Sequence, residues 1–528
     1  MDELAKIAVV GTAKYAGPLP VTEQLAAALA GVADDDRERS LLLQSGARAV
    51  YRLAGQRAIA GIESTDPAPP ETKRMASRRL TGLLQNAVAT GSNNLLIDFL
   101  RQMQMRSVVL PPDLLPLLLD WKDAAVRQSL IPILGERGAW LCRQNPDWSF
   151  FHPKADLQAR VDVEELKQIW DEGTIDQRCR ALAVLRRHDP QSAGNWVAQV
   201  YAKEKAPHRV RLVESLETCL CNDDEAFLES CLNDRSSAVA QSAARLLCRL
   251  PQSALTGRMR ARAAAILGIE RSGLIKKAIK LVCTPPHQID RDWERDGIAK
   301  QAPPGLGERA FWTERVLAAV PPSYWQSQFG LEPQQLIAAV ADDPFAESIV
   351  AGWSEAALWF ATSDTVSADW LMPLWQYRAQ GFGALQGTDR AKAMMKIQAL
   401  LAGMTSPVAE AAIAGLLQPP PGWNDVEVLN CVTALRPPWT AGFSAAFLAA
   451  ARRPIQSRAS DAAYRWANSL AAQACAFSVD AFPLALAPWE LAPAEEPVTW
   501  FAANIQSELN KFVATIEMRN SFMAELNV

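Results

Sequence analysis

The sequence contains little of what most enzyme active sites need. It has four histidines in 528 residues, and each lies within two residues of a proline: His152, His188, His208 and His287. Such positions are typical of loops and helix ends rather than of histidine-centred catalytic or metal sites. The H-E-x-x-H, G-x-x-x-x-G-K-[ST] and G-x-S-x-G motifs are all missing. We therefore expect a protein that is not an enzyme and that carries no cofactor.

Disulfides, zinc sites and membrane segments are equally unsupported. The nine cysteines are sparse and odd in number, which favours reduced thiols. Cys219, Cys221 and Cys231 lack the C-x₂₋₄-C spacing of structural zinc sites. No run of about 18 apolar residues is free of charge and proline, and the opening residues MDELAKIAVV do not resemble a secretory signal. The expected location is the cytoplasm, with no membrane contact.

Stretches that alternate apolar and polar residues and contain β-branched residues, as strands do, are also scarce. Alanine and leucine, which favour helices, are abundant. Helical periodicity dominates the chain, so the predicted fold class is all-α. The sequence has 17 tryptophans but only 6 tyrosines. We expect most of the tryptophans to fill gaps between packed helices; the alternative is a stacking platform for bases or sugars.

A repeated helical hairpin is clearest in residues 224–250. Its first helix places Phe227, Leu228, Cys231 and Leu232 on one stripe, and its second helix ends before Pro251. Each hairpin must bury its open side against a neighbour. Similar hairpins precede it, and the matching positions Arg127, Arg178, Arg211 and Ala240 are 51 (178−127), 33 (211−178) and 29 (240−211) residues apart. The pattern predicts an irregular α-solenoid of HEAT-like hairpins.

Four regions follow from this reading. Residues 1–108 form an N-terminal helical cap, in which Thr22 begins a helix and a second helix runs from about residue 35. Residues 109–283 hold the hairpins, residues 284–308 form a proline- and glycine-bearing linker, and residues 309–528 form a C-terminal helical domain. The chain closes with a helix from about residue 497. We expect its apolar seam to pack back onto the domain rather than onto a partner helix. The seam residues are Val498, Phe501, Ile505, Leu509, Phe512 and Ile516.

Charge is distributed unevenly along the chain. Residues 176–283 contain 18 Lys and Arg against 11 Asp and Glu, whereas residues 331–528 contain 11 against 19. Arginines recur on or near the second helices of the hairpins, where they could brace neighbouring hairpins or form a ridge that binds phosphates. Bracing is the commoner use. The candidate partner-binding residues are Arg178, Arg180, Arg187, Arg209, Arg211, Arg245 and Arg249.

Several stretches resemble a known family. They include SGARAVYRLAG (45–55), PPETKRMASRRL (69–80), NPDW (145–148), NDRSSAVAQSAARLLCRLPQSAL (233–255) and ERAFWTERVLAAVPPSYW (308–325). Together they are similar to an uncharacterised bacterial family, DUF5691, over nearly the whole chain. Its second repeat helix usually opens D-R-S-x-x-V-R, and Ala240 replaces that arginine here. Members are often encoded near MoxR-type AAA+ ATPases, von Willebrand factor A-domain proteins and SWIM zinc-finger proteins. The resemblance supplies no catalytic residues.

The hairpins and the missing catalytic motifs together favour one function. We expect a non-catalytic scaffold or adaptor that binds a protein partner along a concave face. The resemblance implies that the partner belongs to a MoxR-type ATPase or von Willebrand factor A system. The alternative is a nucleic-acid-binding helical-repeat protein that uses the basic ridge of residues 176–283.

Overall fold

The computed structural model describes residues 3–21, 25–30, 36–54, 66–145, 147–148, 163–272, 278–361, 365–457, 461–491 and 500–527. The chain divides into two compact units, Met1–Ala68 and Pro69–Val528. Helices make up nearly all of the ordered elements within the described ranges, and the strands form two small two-stranded sheets. The prediction of an all-α protein is confirmed.

The first unit is built around a small core. Its helices are α1 (Glu3–Val10), α2 (Ala26–Leu29) and α3 (Arg37–Ala54). Leu4, Ile7, Leu19 and Leu41 are buried together, and Arg37 donates a hydrogen bond to the carbonyl oxygen of Gly17. The proposed start of a helix at Thr22 lies outside the described residues.

The second unit begins with helices whose first turns are capped by serine. Ser77 and Ser92 accept hydrogen bonds from the backbone N–H groups of Leu80 and Leu95. A short parallel ladder joins β1 to β2. The elements are β1 (Arg74–Met75), α4 (Arg78–Thr90), α5 (Asn93–Met105), β2 (Val108–Val109), α6 (Leu115–Leu119), α7 (Ala124–Leu130) and α8 (Gly135–Gln144).

The helix pairs predicted between residues 109 and 250 are present. The helices of this stretch after α8 are α9 (Val163–Glu172), α10 (Ile175–His188), α11 (Pro190–Tyr201), α12 (Ala206–Ser215), α13 (Glu225–Cys231) and α14 (Ser237–Cys248). One more helix, α15 (Ala254–Ile266), follows them. Helix α12 packs between α10 and α14. The apolar stripe of α14 is buried, including Val239, Ala243 and Leu247.

The end of the predicted hairpin region differs from the expectation. Residues after α15 form an antiparallel β-hairpin of β3 (Leu267–Ser272) and β4 (Ala278–Cys283), in which Leu267 pairs with Cys283. In β4 the alternation of Ile279, Lys280 and Leu281 has the two-residue period of a strand. This stretch is too short to stand out against the surrounding helical pattern.

The connector at residues 284–308 is packed against the helices on either side of it. It carries α16 (Arg291–Arg295), and the side chains of Ile289, Asp296 and Ile298 are buried. The residues before and after it belong to the same compact unit. This segment therefore supplies part of the core, although its proline content resembles that of a linker.

The remaining helices include several that the sequence patterns did not reveal, among them α18, α22, α24 and α25. The elements are α17 (Glu308–Ala318), α18 (Pro322–Phe329), α19 (Pro333–Val340), α20 (Ala346–Phe360), α21 (Thr365–Ala368), α22 (Leu371–Phe382), α23 (Gly387–Gly403), α24 (Ser406–Ala414), α25 (Asp425–Val432), α26 (Ala441–Ser457), α27 (Asp461–Gln473), α28 (Phe482–Leu486) and α29 (Trp500–Leu526).

Helix α29 closes the second unit on itself. It packs against α27 and α28, and also against α4 and α5 from the start of the unit. The Arg519 guanidinium donates to the Asp98 carboxylate at 2.7 Å, both groups being buried, and the rings of Phe99 and Phe522 stack at 3.8 Å. The expectation that this helix packs back onto its own chain is confirmed. In an open repeat array each unit contacts only its neighbours, so this closure is a departure from a simple solenoid.

Tryptophan packing follows the sequence expectation. All 17 tryptophans lie in described residues; nine are buried, seven are half-buried and Trp500 is exposed. The fully buried rings are Trp170, Trp325, Trp353, Trp370 and Trp466. Most of these rings therefore fill the spaces between helices.

Candidate functional site

The seven candidate arginines lie on α10, α12 and α14 or within one residue of them, and five of them are ion-paired. Arg211 pairs with Asp176, Arg245 with Glu214 at 3.4 Å, and Arg249 with Glu217 at 2.6 Å. Each of these bonds reaches back to the preceding helix of the stack or to the residues just after it. The three pairs span 35, 31 and 32 residues, so they repeat once per hairpin.

Two further candidates are paired in the other direction. Arg178 donates to Glu204 at 2.6 Å, and its guanidinium lies 4.6 Å from the ring centre of Trp170. Arg209 holds both oxygens of Asp234, at 2.9 and 2.7 Å. Burial raises the pKa of Asp234, but hydrogen bonds from Arg209 and Tyr201 outweigh it and lower the pKa to about 2. These arginines connect elements of the hairpin stack to one another.

The last two candidates, Arg180 and Arg187, are exposed and have no carboxylate partner among the described residues. The Nε of Arg180 donates to the carbonyl oxygen of Asp176 within its own helix. Arg187 is exposed, and the described residues offer it no hydrogen bond or ion pair. Of the seven, only Arg245 lines the cleft that is described below. The candidates are therefore not gathered at one site.

Arg186, next to the candidate Arg187, is fully buried. Its guanidinium binds both oxygens of Asp224, at 3.0 and 2.7 Å, and donates to the carbonyl oxygens of Thr218, Cys219 and Pro190. Because Thr218, Cys219 and Asp224 follow α12, these hydrogen bonds anchor the turn between α12 and α13 to α10. Removing either charge would leave the other one buried without compensation.

The histidines and cysteines of the described residues do not form a metal-ligand cluster. No group of three or more His, Cys, Asp or Glu there could hold a metal ion. His208 lies 3.0 Å from Glu204, and His152 lies outside the described residues. Burial raises the pKa of the thiols of Cys231 and Cys248, to about 11 and about 12. These cysteines are core residues rather than activated nucleophiles.

A cleft of about 690 Å³ lies between two groups of helices in the second unit. Helices α12, α14 and α15 form one wall, helices α17 and α20 form the other, and residues 296–306 of the connector line it as well. The volume is within the range of ligand pockets. The cleft brings together residues from five helices and the connector.

Two glycines allow close packing of the elements that line the cleft. A Cβ added at Gly352 would lie 2.8 Å from the Glu314 carbonyl oxygen, so α17 and α20 cross in close contact. Gly297 has a φ of +91°, and a Cβ there would lie 2.8 Å from the Cβ of Ala244. A larger side chain at either position would push a cleft wall away from its neighbour.

Asp296 fixes the connector at the edge of the cleft. Its side chain is fully buried and pairs with Arg258 at 2.9 Å, Arg262 at 2.7 Å and Arg295 at 3.1 Å. Burial raises the pKa of this carboxyl, but the arginines outweigh burial and lower it overall. The charge of Asp296 is therefore satisfied from within the chain.

Trp359 lies at the junction of the two walls. The guanidinium carbons of Arg245 and Arg249 lie 5.4 and 5.5 Å from its ring centre. On the wall formed by α17 and α20, Arg315 bridges Glu314 at 3.0 Å and Glu355. Cation–π contacts and ion pairs thus lie among the apolar side chains of the cleft lining.

Sequence reasoning did not find this cleft. Trp359 had no distinguishing mark among 17 tryptophans, and the connector resembled a linker. The lining residues come from segments more than 140 residues apart, from Val210 to Trp359. The one available signal was Gly297, a lone glycine between a charged residue and an apolar one.

Comparison with known proteins adds the family but no activity. None of the described helices is both long and apolar enough to cross a membrane. No curated protein matches the chain. The model of a family of unknown function, DUF5691, matches residues 3–526, and the chain belongs to that family.

Proposed function

We propose that this protein is a non-catalytic scaffold or adaptor that binds a protein partner, and that α9–α15 act as an irregular HEAT-like solenoid within it. The observation that carries the proposal is the cleft between the α12–α14–α15 wall and the α17–α20 wall. Its lining combines apolar side chains with charged groups, as the surfaces that bind other proteins do.

The charged groups of the cleft favour binding over catalysis. Arg245, Arg315 and Asp296 are each held by an oppositely charged side chain. Ser242 lines the cleft, and its hydroxyl donates to Glu214 at 3.2 Å. A serine nucleophile needs a base that is itself oriented by a third group, and no histidine lines the cleft.

The nucleic-acid alternative has weaker support. Five of the seven candidate arginines already have a carboxylate partner, so few guanidinium groups of the candidate ridge are left to bind phosphates. A phosphate-binding ridge needs arginines that are free to neutralise phosphates and so displace the counterions of the nucleic acid. Among the seven candidates, Arg180 and Arg187 alone have no carboxylate partner in the described residues, and both lie on α10.

Direct binding to candidate partners tests the proposal. The MoxR-type ATPase and the von Willebrand factor A-domain protein of the native host are titrated with the full chain by calorimetry, and cross-linked complexes are captured from host cytosol. We expect saturable binding that the Ala238→Trp variant weakens, because Ala238 is an exposed lining residue of the cleft.

The matched control is Ala198→Trp, which adds the same ring to an exposed position on α11 outside the cleft. It should bind as the wild type does. Absence of any host protein among the cross-linked products, together with flat titrations, would count against a scaffold.

A further inference from the structure

The β3–β4 hairpin has two outer edges, and the hydrogen bonds at its base show which backbone groups face them. The backbone N–H of Thr284 donates to the carbonyl oxygen of Ile266, one step beyond the first pair of the hairpin register. Hydrogen-bonded pairs alternate with non-bonded pairs along an antiparallel ladder. The backbone N–H and C=O groups of Ile269 and Arg271 therefore point away from β4, at the outer edge of β3.

The outer edge of β4 is covered from within the chain. The backbone N–H of Cys283 points away from β3 in the same register, and it donates to the Asp343 carboxylate at 2.9 Å. Helix α19 packs against β4. The bond to Asp343 agrees with the alternation inferred from the base of the hairpin, and it leaves β3 as the strand whose edge is in question.

The outer edge of β3 is open. The outward backbone groups of Ile269 and Arg271 make no hydrogen bond with the described residues. Arg271 is exposed, Ile269 is half-buried, and a Cβ added at Gly268 would meet nothing within 4 Å. Edge strands are often protected by proline or by a bulge, and the continuous register of β3 contains neither. An extended chain can therefore reach these groups.

The two faces of β3 differ in the side chains that they would place beside a third strand. Ile269 packs against the main core, on the face that also holds the buried Leu267 and Leu281. Glu270 lies on the opposite face, where it is exposed and forms no ion pair with the described residues. Cross-strand neighbours stabilise a sheet when apolar residues meet apolar ones and opposite charges meet. The edge therefore fits a strand that alternates apolar and cationic residues.

A second copy of the chain does not fit this edge. Antiparallel pairing of β3 with itself, centred on Glu270, places this carboxylate opposite its own copy, and centring on Arg271 places two guanidinium groups together. Like charges directly opposite each other destabilise a sheet. Centring on Ile269 requires the N–H of Leu267, which is already bonded to the Ala263 carbonyl oxygen.

We propose that the outer edge of β3 binds an extended segment of a partner protein as a third, antiparallel strand. An apolar residue of the segment lies beside Ile269, and a lysine or arginine lies beside Glu270. Backbone hydrogen bonds with Ile269 and Arg271 supply affinity, and the alternating side chains supply specificity. This inference rests on the proposed scaffold function, but it concerns a surface other than the cleft.

Three labelled peptides test the backbone pairing on the full chain. The first is a capped Val-Lys repeat of six residues, the length of β3. The second has an N-methyl group on every valine, and the third has one on every lysine. With valine opposite Ile269 in an antiparallel pair, only the valine N–H groups bond to β3.

Fluorescence anisotropy at about 150 mM salt measures the three affinities. We expect the Val-Lys and N-methyl-lysine peptides to bind alike, and the N-methyl-valine peptide to bind about tenfold more weakly. Equal affinities of all three peptides, or a loss confined to the N-methyl-lysine peptide, would overturn the antiparallel strand.

Variants at position 271 locate the interaction at this edge. Arg271→Pro removes an outward N–H and no ladder bond, so it should weaken the Val-Lys peptide about tenfold. Arg271→Ala is the matched control. Both variants lose the side chain that donates to the Phe329 carbonyl oxygen at 3.4 Å, but alanine keeps the backbone N–H and should bind as the wild type does. An equal loss in both variants would contradict backbone pairing.

The charge requirement has its own pair of variants. Glu270→Gln should weaken the Val-Lys peptide about threefold to fivefold. Glu517→Gln removes the same charge at an exposed position on α29 and should leave the affinity unchanged. An equal loss in both variants would show that the peptide responds only to net charge, and would refute a cation beside Glu270.

Hydrogen–deuterium exchange resolved to single amides shows where the peptide binds and whether the hairpin is folded. In the free chain the amide of Glu270, which points into the ladder, should exchange slowly, and those of Ile269 and Arg271 should exchange fast. The Val-Lys peptide should slow the two fast amides. A bound peptide that leaves them fast would refute the proposal, as would protection that rises with protein concentration when no peptide is present, because a second copy would then occupy the edge.

The failure of this inference can be told apart from that of the scaffold. A host partner that binds Arg271→Pro as tightly as the wild type leaves the scaffold standing and removes the β3 edge as its site. A wild-type chain that binds no host protein removes the scaffold itself.

Discussion

Two regions of the second unit are held together by different chemistry. In the braced region (residues 175–266), arginines of one helix reach carboxylates about one hairpin away, as in the pairs of Arg211 with Asp176 and Arg245 with Glu214. In the aromatic region (residues 322–482), rings from different elements pack against one another, as Trp353 does edge to face against Trp370, with ring centres 5.1 Å apart. Ion pairs fix direction and register, whereas buried rings contribute more stability.

The difference explains why a repeat is visible in only one of the regions. Ion pairs between successive hairpins need a nearly constant distance along the chain. The three pairs in which an arginine reaches a preceding helix are separated by 31 to 35 residues. Ring contacts need no constant spacing. Phe382 meets Trp423 at 4.3 Å, and Trp439 meets Phe477 at 5.0 Å. The aromatic region can therefore pack hairpins of varied length.

The largest expected loss of stability comes from breaking the aromatic region. Trp439 is buried, and its ring contacts Phe443, Phe447 and Phe477 at 5.0–5.3 Å. Trp439→Ala should destabilise the fold by about 4 kcal/mol, because it leaves a large cavity. Differential scanning calorimetry measures the effect, and Trp439→Phe, which keeps a ring, should lose less than half as much. Equal losses in the two variants would contradict the role of ring packing.

The second prediction concerns the one fully buried pair of the braced region. Arg186→Met should cost about 3 kcal/mol, because it leaves the Asp224 carboxylate buried without a partner. The double variant Arg186→Met/Asp224→Leu should recover part of the lost melting temperature, since it also removes the orphaned charge. If the double variant melts at a lower temperature than either Arg186→Met or Asp224→Leu alone, the stabilisation by this pair does not come from its charges.

The third prediction uses pH to test a half-buried brace. The pKa of Asp234 lies at about 2, below its ordinary 3.8, so the carboxylate stabilises the folded state above about pH 3.8 and loses this effect as the pH falls through about 2. Arg209→Met should lower the melting temperature by an amount equivalent to about 2 kcal/mol at pH 7. That difference from the wild type should narrow below about pH 4.

Asp234→Asn serves as the control for this pH dependence. It removes the titrating group, so its melting temperature should change less than that of the wild type between about pH 4 and pH 2. A constant gap between Arg209→Met and the wild type across this range would disprove the coupling.

The smallest loss of stability is expected for an exposed ion pair of the braced region. Arg249 pairs with Glu217, whose side chain is 52% exposed. Arg249→Ala should change stability by less than about 1 kcal/mol. Calorimetry at low and high salt checks this, because the small contribution should fall further with screening. A loss as large as that of Arg186→Met would erase the distinction between buried and exposed braces.

Sequence patterns predicted the parts of the fold that local periodicity controls. The stripes of α13 and α14 and the seam of α29 were read from apolar spacing, and burial of Leu228, Leu247 and Ile516 confirms them. Helices such as α18 and α22 were not predicted. Helix α18 has only eight residues between Pro321 and Gly330, and α22 contains Pro373 and Gly381. The cleft was missed because its residues meet only through tertiary packing.

The contact between Asp98 and Arg519 spans 421 residues. On a ribosome that adds about 5 to 20 residues per second, the first helices of the second unit wait about 20 to 80 seconds for the last one. During that time the surface of Phe99 that later meets Phe522 has no partner from α29. The order of synthesis thus leaves the earliest part of this core incomplete until translation is nearly over.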